Sequence, residues 1–433
     1  MSITQAYLLR YHEVALKGQN RGKFEDLMMR NARKAVELIA GKQPELKILR
    51  SHGRVLAFGV APEIAAQAFT KVFGITGLSP LRIVETSTPA LIDGAVAEFE
   101  AYVARAGLPS SFRVTTRRSE KAVPETSEEL NRRIGSAIQA RHPGLRVELK
   151  SPALTLGVEI RDERSFIWSE RISGAGGLPV GCNSPVLALM SGGLDSPVAA
   201  IRMLRRGCPV SFIHFSGEPF VGPAPLEKVE DLVRLVNRYQ PAAKPLVVVP
   251  FGKIQEEIAL ATNPKLRTIL YRRMMFRIAG RVAQTQGIQA LVTGESMGQV
   301  ASQTLDNLSV INRASPHVVL RPLLGMDKDE IIGEAKRWGT FETSIRPGID
   351  CCTLFSDRHP AIRANPHIVE EQERCFDVEA LVERALALSG IDPIVNRPAV
   401  DPAAAAVRES RSGSDRGTPS FSPISSPELQ PTS

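Results

Sequence analysis

Nowhere in the sequence does an apolar run approach the roughly 20 residues that a membrane-spanning helix needs. Residues 1–18 carry no basic stretch followed by an apolar core, which argues against a secretory signal. The expected setting is therefore the cytoplasm, with no membrane partner. Cysteine is scarce: Cys182, Cys208, Cys351, Cys352 and Cys375 are odd in number and lack CxxC or any other metal-ligand spacing. That pattern excludes a disulfide framework and a protein-held zinc site as expectations, and leaves a reactive thiol open. Internal repeats are absent, and so is the GxxxxGK[ST] loop of the common nucleoside triphosphatases.

What is present is ample apolar material for burial, 43% of 433 residues, with 23% charged. The length exceeds one ordinary core, so two or three domains are expected. A net charge of +8 and a sequence pI near 9.3 suit a polyanionic partner, although many basic proteins bind none.

Along the chain, Ala6–Arg10 reads as a strand and residues 21–40 as a helix, with Phe24, Leu27, Ala35 and Leu38 at roughly helical spacing. Residues 46–49 and 55–58 flank Ser51-His52-Gly53 as a hairpin. This strand–helix–hairpin–helix order predicts a small α+β unit over 1–61. A second segment, 62–171, predicts helices at 91–106 and 127–139 and strands at 112–114, 145–149 and 154–160. Basic residues crowd it (Arg113, Arg117, Arg118, Lys121, Arg132, Arg133, Arg141, Arg146, Lys150), which is equally the pattern of a nucleic-acid grip and of an ordinary solvated surface. Residues 173–179, SGAGGLP, read as a flexible linker. From 172 to 395 the pattern becomes β–α alternation, with strands at 186–190, 210–215, 246–250 and 290–293 and helices such as 226–239 and 271–284. That spacing predicts an α/β domain with a doubly wound parallel sheet. The remainder, 396–433, is rich in Pro, Ala and Ser and predicts disorder.

The stretch SGGLDSPVA, residues 191–199, follows an apolar strand and opens a helix. Gly192 and Gly193 let the backbone approach a ligand, and the loop N–H groups with the Ser191 and Ser196 hydroxyls make an anion cradle. No lysine follows the turn, so the loop suits a leaving pyrophosphate better than an activated γ-phosphate. Asp195 would repel phosphate unless a divalent cation lies between, which implies Mg²⁺. A glycine-rich turn of no function is the competing reading.

This loop resembles the signature of PP-loop ATP pyrophosphatases, which cleave ATP between its α- and β-phosphates and adenylate a substrate. YLLRYHEVALKGQNRGKF (7–24), TGESMGQVASQTLDNL (293–308), RPLLGMDKDEII (321–332) and GTFETSIRPGIDCCTLF (339–355) resemble the tRNA 4-thiouridine synthetase family, over residues 1 to about 390. The resemblance implies a ferredoxin-like N-terminal domain, a THUMP RNA-binding domain and a PP-loop catalytic domain. It implies that ATP is held by Leu189, Met190, Ser191, Gly192, Gly193, Asp195, Ser196, His214, Phe215, Arg272, Gly294 and Gln303. Arg273 competes with Arg272 for a phosphate role, and Gly294 is expected to end its strand at a tight turn approaching the nucleotide. Lys328, which alone would read as a solvated helix-start lysine, matches a family lysine needed for activity.

Cys351 matches the family's catalytic thiol, with Cys352 secondary; Cys182, Cys208 and Cys375 read as packing or surface thiols, and the disulfide expected after turnover is open to Cys352, Cys208 or another thiol. The implied catalytic set is Asp195, Lys328 and Cys351. The implied activity is transfer of persulfide sulfur to an adenylated uridine of tRNA, with sulfur donation for the thiazole of thiamine as a further family role. Some members append a rhodanese domain. Here the residues after Phe355 read as a helical stretch and the polar tail, so sulfur is expected from a cysteine desulfurase directly or through a separate rhodanese. A sulfur-carrier protein and a homodimer are further family-level expectations. An RNA-binding protein with a vestigial loop and an amide-forming ligase are the competing functions.

Overall fold

The computed structural model describes residues 6–51, 54–118, 122–348 and 354–392. His52 and Gly53 of the expected hairpin turn, Lys121, the Cys351–Cys352 pair and the polar tail lie outside the described residues.

Strand β1 (Ala6–Arg10), helix α1 (Arg21–Ala40), strands β2 (Lys47–Ser51) and β3 (Arg54–Phe58) and helix α2 (Pro62–Phe69) follow the expected order. Met28, Ala32 and Val36 of α1 meet Ala65, Ala68 and Phe69 of α2 in one buried cluster. Next come β4 (Gly77–Glu85), α3 (Thr88–Ala106), β5 (Ser111–Arg118), α4 (Ser127–Arg141), β6 (Arg146–Val147), β7 (Leu154–Ile160), β8 (Arg164–Trp168) and β9 (Ile172–Ser173). Helix α4 starts on a capping box, in which the Thr126 side chain accepts from the Glu129 N–H and Glu129 reaches back to the Thr126 N–H.

Strand β4 joins the two halves. Residues 77–81 pair antiparallel with β1, and residues 82–85 pair antiparallel with β8. The result is a sheet in the order β2-β3-β1-β4-β8-β7-β5-β6, with β9 beside β4. The expected strand at 145–149 shrinks to Arg146–Val147, and Leu149 is exposed. It sits at the sheet edge, where no second neighbour rewards extension. Of the basic residues named for this part, Arg117, Arg132, Arg133, Arg141, Arg146 and Lys150 are exposed.

Residues 173–179 are not a flexible linker. The Gly174 and Gly176 N–H groups donate to the Thr76 and Ile75 carbonyls, Leu178 N–H donates to the Arg205 carbonyl, and Ala175 and Leu178 are buried. The glycines are there for contact: a Cβ on Gly174 would stand 2.4 Å from the Ile75 oxygen, and one on Gly177 2.2 Å from the Arg205 oxygen. Beyond this docked segment, Phe73 packs against the contacting rings of Tyr239 and Trp338, and Glu13 holds Arg206 through two hydrogen bonds of 3.0 and 2.7 Å.

The third unit comprises β10 (Val186–Leu189), α5 (Asp195–Arg205), β11 (Val210–Ser216), α6 (Ala224–Asn237), β12 (Leu246–Pro250), α7 (Gly252–Ala261), α8 (Arg267–Thr285), β13 (Ala290–Val292), α9 (Leu305–Asn312), β14 (Val318–Leu320), α10 (Lys328–Trp338), α11 (Phe341–Ser344), α12 (Pro366–Glu373), α13 (Val378–Leu388) and β15 (Gly390–Asp392). The sheet order is β14-β13-β10-β11-β12-β15, parallel except for the antiparallel edge β15. One buried cluster packs α7, α8, α9, α12 and α13 on one face, and another packs α5, α6 and α10 on the opposite face. The doubly wound parallel sheet expected from the β–α alternation is what forms. The strand order reverses at β10, with β11 and β12 laid down on one side and β13 and β14 on the other, and such a switch point opens a crevice beyond the strands' carboxyl ends.

Candidate active site

The loops leaving β10 and β13 meet at that crevice. After β10 the chain turns through Ser191-Gly192-Gly193 into α5, and the turn is stitched by its own serines. Ser191 N–H donates to Ser196 Oγ at 2.9 Å, and Gly193 N–H donates to Ser191 Oγ at 3.3 Å. After β13, Gly294 lies flat against the first turn of α5: a Cβ there would stand 2.6 Å from Ser196 N and 2.7 Å from Asp195 C. The expected reason for this glycine, a tight turn, is therefore replaced by close backbone packing against the loop. Gly294→Ala should push the two loops apart and lower the ATP-dependent turnover that the resemblance implies by about tenfold or more, since misplacement of about 1 Å is costly to catalysis; a steady-state assay in which turnover stayed unchanged would refute this.

A cavity of about 610 Å³ opens here, within the size range of small-molecule sites. Leu189, Met190, Ser191, Gly193, Asp195, Ser196, His214, Phe215, Arg272, Gly294 and Gln303 line it, so the sequence reading converges on one place. Gly192 faces a smaller adjoining cavity of about 110 Å³. His214 is buried and its Nδ1 lies 2.9 Å from the Met190 carbonyl oxygen. A carbonyl only accepts, so Nδ1 carries the proton. The Phe215 ring is fixed edge-on against Phe251. Gln303, in a short helical turn at Ala301–Gln303, is buried and faces the Ser296 N–H.

Asp195 and Lys328 come together from 133 positions apart. Lys328 Nζ donates to Asp195 Oδ1 at 2.8 Å, and Gln299 Nε2 donates to Oδ2 at 3.1 Å. Lys328 is the first residue of α10, whose capping box is made by Asp327 and Glu330. A cation in a first helical turn opposes the helix dipole. Its placement there serves the contact with Asp195, not the helix.

The two adjacent arginines part company. Arg272 lines the cavity and is oriented by Glu295, a buried carboxylate that also accepts from Arg321 Nε at 2.6 Å and Thr293 Oγ1 at 2.9 Å. Arg273 points away, buried, with Nε and Nη2 donating to the Glu373 carboxylate at 2.8 and 2.7 Å. Burial raises the Glu373 pKa, but hydrogen bonds from Arg273 and Arg277 outweigh it and leave the group below the usual carboxylate range. Arg273 is thus a structural residue.

Sequence reading missed several members of this place. Lys228 and the cavity-lining Ser356, Asp357 and Arg358 lie far from the loop in sequence and outside the quoted motifs, while Glu295, Gln299 and Arg321 lie inside the 293–308 and 321–332 matches without having been singled out. Phe355, beside them, takes a left-handed backbone (φ 56°), uncommon for a bulky side chain.

Among the other thiols, burial pushes both Cys182 and Cys208 up in pKa, which suppresses thiolate. Cys208 precedes β11, whose far end carries His214, so it lies roughly 20 Å from the cavity at about 3.3 Å per strand residue. A disulfide between Cys208 and a residue at the cavity would need Cα atoms within about 7 Å. Among the described residues no group of three His, Cys, Asp or Glu side chains could hold a metal ion, and no helix is long and apolar enough to cross a membrane.

Comparison with known proteins adds to this geometry. The sequence patterns described as "ThiI ferredoxin-like domain", "THUMP domain" and "Thiamine biosynthesis protein (ThiI)" match residues 6–79, 86–170 and 181–378. The "Probable tRNA sulfurtransferase" of Moorella thermoacetica is 41% identical over 380 residues, spanning 88% of this chain and 95% of the relative. The chain belongs to the ThiI family. The "Probable tRNA sulfurtransferase" of Caldanaerobacter subterraneus subsp. tengcongensis is 39% identical over 377 residues, spanning 87% of this chain and 96% of the relative. A solved structure described as "Crystal structure of a 4-thiouridine synthetase - RNA complex with bound ATP" superposes with a TM-score of 0.80 at 34% identity, covering 90% of this chain and 99% of that one. The architecture is accordingly a ferredoxin-like domain, a THUMP domain and a PP-loop domain with a parallel sheet, as the resemblance implied.

Proposed function

We propose that this ThiI-family chain is an ATP-dependent tRNA sulfurtransferase that converts a uridine of tRNA to 4-thiouridine, releasing AMP and pyrophosphate. The observation that carries the reading is that Asp195, held by Lys328, lines one cavity with Ser191, Gly193 and Ser196 of the loop. The similarity to a 4-thiouridine synthetase crystallised with RNA and ATP supports the substrates.

In this reading Met190, His214, Phe215, Gly294 and Gln303 hold the nucleoside, with Leu189 behind them. The loop N–H groups with Ser191 and Ser196 take the phosphates, and Arg272, aimed by Glu295, adds charge to the same end. The residues suit Mg²⁺ only as an ion arriving with ATP: Asp195 offers one carboxylate beside the loop, and phosphate oxygens would complete the shell. Such an ion would neutralise charge between the phosphates. Lys328, displaced from Asp195 by the ligand, would stabilise the charge that develops at the α-phosphate.

Two half-reactions balance the chemistry. The uridine O4 attacks the α-phosphorus, the N3 proton is lost, and the bond to the β-phosphate oxygen breaks, so pyrophosphate leaves. The terminal sulfur of a Cys351 persulfide then attacks C4, and the C4–O4 bond breaks to release AMP. A second thiol attacks the Cys351 sulfur, leaving a disulfide and thiouridine. Gly348 and Leu354, the described residues that flank the cysteine pair, lie against the smaller cavity and against Gly217. Cys352 is favoured as the second thiol, because Cys208 lies at the amino end of β11, the opposite end of the strands from the cavity.

Sulfur would come from a cysteine desulfurase, directly or through a rhodanese. A sulfur-carrier protein would be the acceptor if the chain also serves thiamine thiazole formation. The tRNA would be gripped through its phosphates and shape by the two N-terminal domains, with its target uridine unstacked into the cavity. A homodimer would let one chain grip while the other reacts, in the cytoplasm.

The test is mass spectrometry of tRNA incubated with the protein, ATP and a cysteine desulfurase supplied with cysteine. A uridine-to-thiouridine mass gain with stoichiometric AMP is expected. RNA binding without AMP release would instead indicate a vestigial loop, and ammonia-dependent ligation without RNA would indicate an amide-forming ligase.

A further inference from the structure

The phosphate loop has no lysine of its own, yet the fold brings one to it from helix α6, 36 positions beyond Gly192. Lys228 is 9% exposed, so its ammonium is committed to the interior. It lines the 110 Å³ cavity together with Gly192, Gly193 and Gly348. A first side-chain carbon built on Gly192 would stand 3.5 Å from Lys228 Cδ and 3.8 Å from Nζ, so stem and ammonium run alongside the loop backbone. On its other side, Nζ donates to the Arg346 carbonyl at 2.6 Å, and Arg346 is itself anchored to Asp231 of the same helix at 2.7 Å. Lys228 therefore stands between the anion loop and the chain that leads to Cys351.

We propose that Lys228 binds the departing pyrophosphate against Gly192 and Gly193 while tethering the Arg346–Gly348 segment, making it a substrate-contacting residue of the first half-reaction. An ammonium donates three hydrogen bonds and can share them between a carbonyl and an anion. A buried cation beside backbone N–H groups is also where phosphate charge is least screened. The proposal rests on the adenylation reading above.

Three proteins distinguish the outcomes: the natural chain, Lys228→Met and Lys228→Arg, all full length. Equilibrium binding of inorganic pyrophosphate is measured first, since it requires neither tRNA nor turnover; AMP formation, ATP KM and melting temperature follow. Lys228→Met should bind pyrophosphate at least tenfold more weakly, and Lys228→Arg should recover much of the loss. In turnover, Lys228→Met should lower kcat for AMP formation more than it raises ATP KM. Pyrophosphate affinity within twofold of the natural chain in Lys228→Met would overturn the proposal. So would equal loss in both variants accompanied by a lowered melting temperature, which would mark Lys228 as a packing residue. If the natural chain binds pyrophosphate through Lys228 but forms no AMP with tRNA, the adenylation reading fails and the anion site stands.

Discussion

Asp195→Ala should form AMP from ATP and tRNA about 10²- to 10³-fold more slowly than the natural chain, the range seen when one preorganised electrostatic partner is removed from a reacting site. Two effects combine. The variant removes the carboxylate placed to share a cation with the phosphates, and it frees Lys328 from the contact that holds its Nζ 2.8 Å from Oδ1. Stability should scarcely change, because Lys328 is 44% exposed and Asp195 20%, and exposed pairs contribute about 1 kcal/mol or less. The melting temperature thus serves as the internal control. Asp195→Asn keeps the shape and the Gln299 contact but not the charge; activity as low as in the alanine variant would identify charge as the operative property. Turnover within a few fold of the natural rate in either variant would remove Asp195 from the chemistry.

The parts of this molecule that were legible in its sequence are those where local pattern and tertiary fate agree. The strands at 186–190, 210–215 and 246–250 are apolar runs because both faces of a parallel sheet are covered, and each forms within a residue or two of its expected bounds. The Ser191-Gly192-Gly193 loop was legible because it is continuous in sequence. Strand β4 was not: GLSPLRIVE carries a glycine, a proline and two charges, and proline argues against a central strand. Its register explains the tolerance. Pro80 pairs with Tyr7 on one side, while β9 ends its pairing at Leu78 and β8 begins at Arg82, so Pro80 has no strand on its other flank.

The site shows the same division. Arg272 and Arg273 are indistinguishable in sequence, and one residue of helical phase sends the first to the cavity and the second to Glu373, 100 residues away. Lys228 sits among Glu227, Glu230 and Asp231 and reads as one charge on a solvated helix face; only the docking of α6 beside the loop buries it. The linker failed for a related reason. Glycine density signals conformational freedom when nothing else is known, whereas here it permits backbone to lie on backbone at Ile75 and Arg205.

Cys351→Ser should separate the half-reactions. In the proposed mechanism adenylation needs the loop, Asp195 and Lys328 but no thiol, so tRNA-dependent pyrophosphate release should persist in the variant, measured as a first turnover. Thiouridine should fall below detection, a loss of at least about 10³-fold, since a serine hydroxyl neither stores sulfane sulfur nor forms the thiolate that accepts it. Cys352→Ser should differ in kind: with the natural Cys351 in place sulfur should reach C4 but the tRNA should stay joined to Cys351 through the S–S bond, and dithiothreitol should cleave that bond by thiol–disulfide exchange, releasing thiouridine and allowing further turnovers. Two results would defeat this division of labour. Full thiouridine yield from Cys351→Ser would move the sulfur to another residue. Loss of first-turnover pyrophosphate release in Cys351→Ser, with the melting temperature unchanged, would mean that the cysteine takes part before sulfur arrives, and the two half-reactions would then have to be rewritten as one.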